Sequence, residues 1–192
     1  VALFGMGCAS TETNSDPLKN GLVAYYPFNG NAKDESGNGH DGSINGAALT
    51  IDRHGKILSA YSFDGAGDNI EISESEDFKS SKLSVAVWVY AKSVAGGLRV
   101  VSKDGGKSER QWSLDISGNG TFTGWLGLED RAGQVVLKGG RISEGWNHLS
   151  QIWDGAALVL YINGIAVSSI FAAGSLRACS QPLRIGGGAD DG

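Results

Sequence analysis

The stretch that most restricts the fold runs from Trp146 to Val167 and reads WNHLSQIWDGAALVLYINGIAV. Asn163 and Gly164 stand between Ile162 and Ile165, and an Asn-Gly pair tolerates positive φ at both central positions of a type I′ turn. Such a turn matches the twist of its flanking strands and sets which residues oppose each other. Counting outward, Ile162 opposes Ile165 and Leu160 opposes Val167 on one side of the ribbon, with Tyr161 and Ala166 on the other. Asp154 and Gly155 mark a second turn, so residues 147–153 return antiparallel against 157–162 through a loop of roughly two to four residues.

The same reading extends upstream. Residues 83–90 (LSVAVWVY) alternate, with Val85, Val87 and Val89 on one face and Ala86, Trp88 and Tyr90 on the other, as in a strand at a sheet centre. Residues 98–103, 111–116, 121–128 and 134–137 follow as further strands at the cadence of an antiparallel sandwich or barrel. Residues 22–28 (LVAYYPF) are apolar on both sides, the mark of a covered first strand. Short strands are expected at 43–49, 60–63, 69–73 and 183–186, and one helical turn within 74–82. Residues 29–42, rich in Gly, Asn, Asp and Ser, form a long loop shaped by Asx turns.

With 192 residues, the chain is long enough for one domain that buries roughly 70% of its unfolded surface. Thirty glycines against three prolines favour strands joined by tight turns. Lys and Arg are scattered in a chain of net charge −5, so nothing offers the basic stripe that nucleic acid or an anionic membrane requires. The start, VALFGMGCAS followed by TETNSDP, looks like the tail of a secretory signal ending at a lipoprotein cysteine, Cys8, then a disordered tether to about residue 20. The alternatives are a disordered apolar leader, or a Cys8–Cys179 disulfide that ties the N-terminus down. The first reading places the protein outside the cell or in a bacterial envelope, touching membrane only through a lipid anchor. Val1 and the final GGGADDG read as cuts in a longer chain.

Five blocks in order, GLVAYYPFNGNAKDESGNGHDG, SAYSFDGAGDNIEI, LSVAVWVYAK, GWNHLSQIWDGAALVLYINGIAV and LRIGGG, resemble the laminin G-like, pentraxin-related group of concanavalin A-like domains. The resemblance spans about Gly21 to Gly188. It implies an all-β fold, a two-sheet antiparallel jelly roll over residues 21–192 that lacks its closing strand here. It also implies a structural Ca²⁺ near the first loop, with Asp34 as first ligand, Asn29 second and Asp68 third. Ca²⁺ takes about six to eight oxygens, and this loop is rich in them, although Asp34, Ser36 and Asn38 also serve as ordinary turn formers.

Glycan or cell-surface protein binding is the use that the resemblance implies. Trp112 and Trp125 are the aromatics suited to stacking on sugar rings, with Arg110 and Asp130 as polar partners beside Glu129 and Arg131. Either tryptophan is also an ordinary core residue on a strand. Alternation puts Thr121, Thr123 and Trp125 on one face and Phe122, Gly124 and Leu126 on the other, so one of the two aromatics faces outward. Trp88, Trp146 and Trp153 read as packing, and His148 as structural. The paired-acid E-x-D-x-x-E arrangement of the glycoside hydrolases of this fold does not occur, nor does a serine elbow or a metal-spaced histidine set. The expectation is therefore a non-catalytic binding module, either self-standing or accessory to a secreted glycan-degrading enzyme. A lyase or hydrolase in its own right is the weakest reading.

Overall fold

Asn163 and Gly164 both adopt positive φ, 51° and 79°, and Ile162 pairs with Ile165, so the two-residue hairpin forms as its residues dictate. Beyond Tyr161 the register slips: Tyr161 pairs with Ala166 but Leu160 with Ser168, which leaves Val167 as the extra residue of a bulge instead of the partner of Leu160. Bulging turns Val167 toward the core, where its methyls would crowd a Cβ at Gly139 or Gly140.

The computed structural model describes residues 2–4, 19–93, 97–105 and 110–187. In chain order the strands are β1 (Ala2–Phe4), β2 (Leu22–Tyr25), β3 (Gly42–Asn45), β4 (Ala48–Thr50), β5 (Ala60–Ser62), β6 (Asn69–Ile72), β7 (Leu83–Ala91) and β8 (Leu98–Lys103). They continue as β9 (Trp112–Ile116), β10 (Thr121–Gly127), β11 (Gln134–Arg141), β12 (Gly145–Trp153), β13 (Ala157–Ile162), β14 (Ile165–Phe171) and β15 (Leu183–Ile185). A single 3₁₀ turn at Glu76–Phe78, capped by the Ser75 hydroxyl, is the helical turn expected there. One sheet has the order β14-β13-β12-β7-β1-β2 and the other β11-β10-β9-β8-β15-β6-β3, with β4-β5 as a separate ribbon. All named strand pairs are antiparallel, and the chain is a two-sheet sandwich of the expected jelly-roll type.

β1 departs from the expected disordered leader. Ala2–Phe4 pairs with β2 on one side and with Ser84–Ala86 of β7 on the other. Two strand edges with unmet N–H and C=O groups face each other there, and an extended backbone satisfies both. Residues 5–18, including Cys8, lie outside the described residues, so neither the tether nor a bridge to the buried Cys179 is described.

Val85, Leu149, Leu158 and Leu160 of the first sheet meet Leu114, Phe122, Leu126 and Ile185 of the second in one apolar core. The sheets approach closely where β10 carries Gly124. A Cβ there would stand 2.5 Å from the side-chain oxygen of Gln151 and 2.7 Å from a Leu160 methyl.

The long loop between β2 and β3 is tied by one carboxylate. Asp34 Oδ1 accepts from the backbone N–H of Tyr25 at 2.9 Å and of Ser36 at 2.8 Å; Oδ2 accepts from the Ser36 hydroxyl at 2.8 Å and the His40 N–H at 3.0 Å. Asp41 accepts the N–H of Asp34, and the Asn38 amide donates to the carbonyls of Leu22 and Val23. The Tyr26 hydroxyl donates to the His40 carbonyl at 2.6 Å, and burial, reinforced by Asp34 and Asp41, pushes its pKa up. Burial alone would raise the Asp34 pKa, but the hydrogen bonds from Tyr25, Ser36 and His40 outweigh it and hold the carboxyl below its usual range.

Two outcomes follow. Gly124→Val drives a branched side chain into the facing sheet and lowers stability by about 1–3 kcal/mol in urea unfolding. Asp34→Ala costs about 2–3 kcal/mol at neutral pH, on the scale of hydrogen bonds to a charged acceptor. Because the folded-state pKa is depressed, this stability is complete above the unfolded carboxylate value and is lost as pH falls through the folded one. Urea unfolding from neutral to strongly acidic pH should show the gap between parent and variant closing. A constant gap would contradict the role given to the carboxylate.

Candidate functional site

The outer face of the seven-stranded sheet follows from alternation. In β9, Trp112, Leu114 and Ile116 point into the core, so Ser113 and Asp115 point out; in β10, Phe122, Gly124 and Leu126 point in, so Thr123 and Trp125 point out. Direct pairings then build a row across the sheet: Glu71 with Arg184, Arg184 with Ser102, Ser102 with Ser113, Ser113 with Trp125, and Trp125 with Val136. A neighbouring row holds Arg99, Asp115, Thr123 and Lys138.

Arg110 reaches this face from the segment before β9, its guanidinium carbon 4.8 Å from the centre of the Trp125 ring. A close approach makes this possible: a Cβ on Gly127 would lie 2.1 Å from the Arg110 carbonyl, so only glycine fits opposite that turn of backbone. Asp104, fully buried, orders the arginines. Its Oδ2 lies 3.1 Å from Arg99 Nη1 and 3.3 Å from Arg110 Nε. Arg99 Nε stands 3.5 Å from Asp115 Oδ1, and Arg184 sets two nitrogens on one oxygen of Glu71, at 3.0 and 3.1 Å. Burial pushes the Asp115 carboxyl up, against the lowering pull of Arg99 and Arg110.

Ten buried side-chain polar atoms among the described residues make no hydrogen bond, and six of them are here: Arg99 Nε and Nη1, Ser113 Oγ, Asp115 Oδ1, Trp125 Nε1 and Arg184 Nη1. The Arg99 contacts are ion pairs whose angles miss hydrogen-bond geometry. Buried polar atoms are normally satisfied, so such a concentration on one face sets this sheet apart from the rest of the described residues. A flat aromatic ring flanked by fixed donors is the arrangement that stacks on a sugar ring and reads its substituents.

The candidate residues divide accordingly. Trp125 and Arg110 come together as expected, and Trp125, not Phe122, is the outward aromatic of β10. Trp112 is 2% exposed and belongs to the core, because alternation in β9 turns it inward beside Leu114; it is not available to a ligand. Asp130 is exposed in the β10–β11 turn, outside the ion pairs that order Arg110. Arg99, Asp115, Ser113 and Arg184 are members that sequence reasoning missed. Their signal was a polar residue at alternate positions of otherwise apolar strands.

The residues named for Ca²⁺ do not fit a shared site as arranged. All four acceptor directions of Asp34 are taken within its own loop, and Asn29 Oδ1 accepts from Lys56 Nζ at 3.1 Å. Asp68 instead accepts the Asp64 N–H and packs against Gly46. Among the described residues no three His, Cys, Asp or Glu side chains gather as a metal cluster.

The opposite sheet has an aromatic face of its own. Trp88 is 43% exposed and Tyr90 55%, which corrects the reading of Trp88 as packing; Trp153, at 1%, is core as expected. Trp88 lies 5.1 Å from the His148 ring and Tyr90 5.4 Å from Trp146, with Arg53 over Trp88 at 4.7 Å. Burial first, then the charge of Arg53, holds the His148 imidazole below its usual pKa. This face carries none of the six unpartnered atoms.

Among solved structures the chain resembles domain 4 of AbnA, a GH43 extracellular arabinanase from Geobacillus stearothermophilus in complex with arabinotriose, at TM-score 0.58 and 19% identity over 85% of this chain and 82% of that one. It also resembles the receptor binding domain of botulinum neurotoxin D, at TM-score 0.57 and 16% identity over 80% of this chain. The chain spans only 41% of that toxin domain's length. No curated protein matches it. At these identities the likenesses speak for the fold. Residues 64–192 match the model of the Laminin_G_3 family, and the chain therefore belongs to that family of the concanavalin A-like lectin/glucanases superfamily.

Proposed function

We propose that this protein is a non-catalytic binding module that takes glycan on the outer face of its seven-stranded sheet. The observation that carries the reading is the Arg110–Trp125 stack on that face, beside the half-buried Arg99, Asp115 and Arg184. Trp125 provides the stacking plane, Arg110 and Asp104 hold that plane in place, and the half-buried Asp115, Arg99 and Arg184 offer polar contacts. Nothing in the arrangement sets two carboxylates across a scissile bond: Asp104 and Asp115 are both engaged with arginines. The likeness to an arabinanase domain seen with arabinotriose supports glycan as ligand class. It equally suits an accessory role within a larger secreted enzyme.

Export belongs to the same reading. Cys8, after the small Gly7, offers a lipidation point that would hold the module at a bacterial envelope. Processing at that point also removes Ala2–Phe4 and frees the slot between β2 and β7.

Trp125→Ala should weaken binding to any glycan found on an array by at least about tenfold, the scale of a hot-spot tryptophan. Trp88→Ala, on the other sheet, should leave that binding unchanged. Equal losses from both substitutions, with both variants folded by thermal melting, would remove this face as the site. For Cys8, the intact mass of protein made in a bacterial host should show cleavage just before Cys8 and gain of a diacylglyceryl group. The full chain short of two protons would point instead to the bridge with Cys179.

A further inference from the structure

The six-stranded sheet is held together by a strand that does not fill its place. β1 runs antiparallel to both neighbours, with Ala2 opposite Tyr25 and Ala86, and Phe4 opposite Leu22 and Ser84. β2 and β7 therefore run parallel to each other, their axes about 9.5 Å apart, two ladder spacings. Both walls of this slot are held from behind. β7 pairs with β12 along all nine of its residues. The far edge of β2 is taken by the long loop: Tyr25 donates its N–H to Asp34 and accepts from the Glu35 N–H, and the carbonyls of Leu22 and Val23 accept from the Asn38 amide. Yet β1 meets only Ser84, Val85 and Ala86. Among the described residues no strand pairs with the slot side of residues 87–91, which leaves a strand edge with N–H and C=O groups to be met.

A longer occupant running in the direction of β1 enters beside Ala91 and leaves beside Ser84. The chain leaving β15 arrives at that entrance. Gly186, at φ 87°, turns the backbone, and a Cβ there would lie 2.3 Å from the Phe63 ring. Phe63 follows β5, whose Tyr61 ring stands edge-on to Phe28 at 5.0 Å, and Phe28 stacks on Tyr26, the residue directly after β2. The layers of a sandwich stand about 10 Å apart. Five extended residues reach about 16–18 Å, so residues 188–192 are long enough to cross from one layer to the other. We infer that the slot is the seat of a strand formed by this protein's own chain continuing past Gly187, with Ala2–Phe4 as a short stand-in that yields to it. The walls set the pattern of the occupant. Directly opposed residues share a face, and Val85, Val87 and Val89 face the core, so the strand carries apolar side chains opposite those three and polar ones opposite Ala86, Trp88 and Tyr90. Neither glycan binding nor export is needed for this.

The test adds to the full chain, after Gly192, a strand as long as β7, TKVTVKVTK, with TKSTSKSTK as its control. Amide hydrogen exchange at residues 87–91 should slow at least about tenfold with the valine extension, and the melting temperature should rise by roughly 2–4 °C. The serine extension should do neither. Leu3→Pro removes a backbone donor from β1, so it should lower the melting temperature of the parent chain and leave that of the valine-extended chain unchanged. Where sedimentation shows the valine extension self-associating, the single-valine form TKTTVKTTK takes its place. Unchanged exchange at 87–91 in the monomeric extended chain would overturn the seat. Equal protection by the valine and serine extensions would overturn the core-facing pattern assigned to the occupant. Leu3→Pro with the same effect on parent and extended chains would overturn the exchange of one strand for the other.

Discussion

Packing of the two sheets against each other decides everything exposed on them. Where Gly124 lets β10 approach Gln151 and Leu160, and Gly139 and Gly140 accept Val167, the inner faces close without room for another side chain. Strand side chains alternate with a period of two, so seating Trp112, Leu114, Ile116, Phe122 and Leu126 inside forces Ser113, Asp115, Thr123 and Trp125 outside. A slip of one residue would exchange the two sets, trading an apolar core for a charged one. The position of the candidate site is thus a consequence of core packing several ångströms away.

The outer face holds charge under unusual conditions. Asp104 is fully buried between two arginines, and Asp115 and Arg99 sit close without the angles of a hydrogen bond. Ion pairs removed from water regain their desolvation energy only when geometry is good and every remaining proton and lone pair is met. The Arg110–Asp104 contact has hydrogen-bond geometry and the Arg99 contacts do not, so the cluster meets these conditions only in part. Beside it stands the half-buried Trp125 ring, with the Arg110 guanidinium over its face. The loop around Asp34 is the contrary case: its acceptors are filled from within, and its carboxylate works as a structural knot.

Much of the fold was legible in the residues. The Asn163–Gly164 turn, the central β7, the strand at residues 98–103 and the 3₁₀ turn after residue 74 all depend on local periodicity and turn chemistry. The register past Tyr161 was not, because a bulge at Val167 is set by how that side chain fits against β11, not by the turn. Trp88 and Trp112 were both misjudged, for one reason. A tryptophan on a strand looks the same whichever face is covered, and coverage comes from segments distant in the chain. Asp34 was named as a Ca²⁺ ligand or a turn former, and which donors would claim its oxygens depended on the path of the loop from Tyr25 to His40.

By itself the sequence determined most strands after β1, their alternation and the turns between neighbours, since these follow from contacts only a few residues apart. Only the tertiary structure decided which face of each strand met the opposite sheet. It also brought β15 between β6 and β8, and so carried Arg184 alongside Glu71 and Ser102. An isolated strand has two equivalent sides and no knowledge of its distant neighbours. The packing that breaks that equivalence places Arg99, Ser113, Trp125 and Arg184 on one surface.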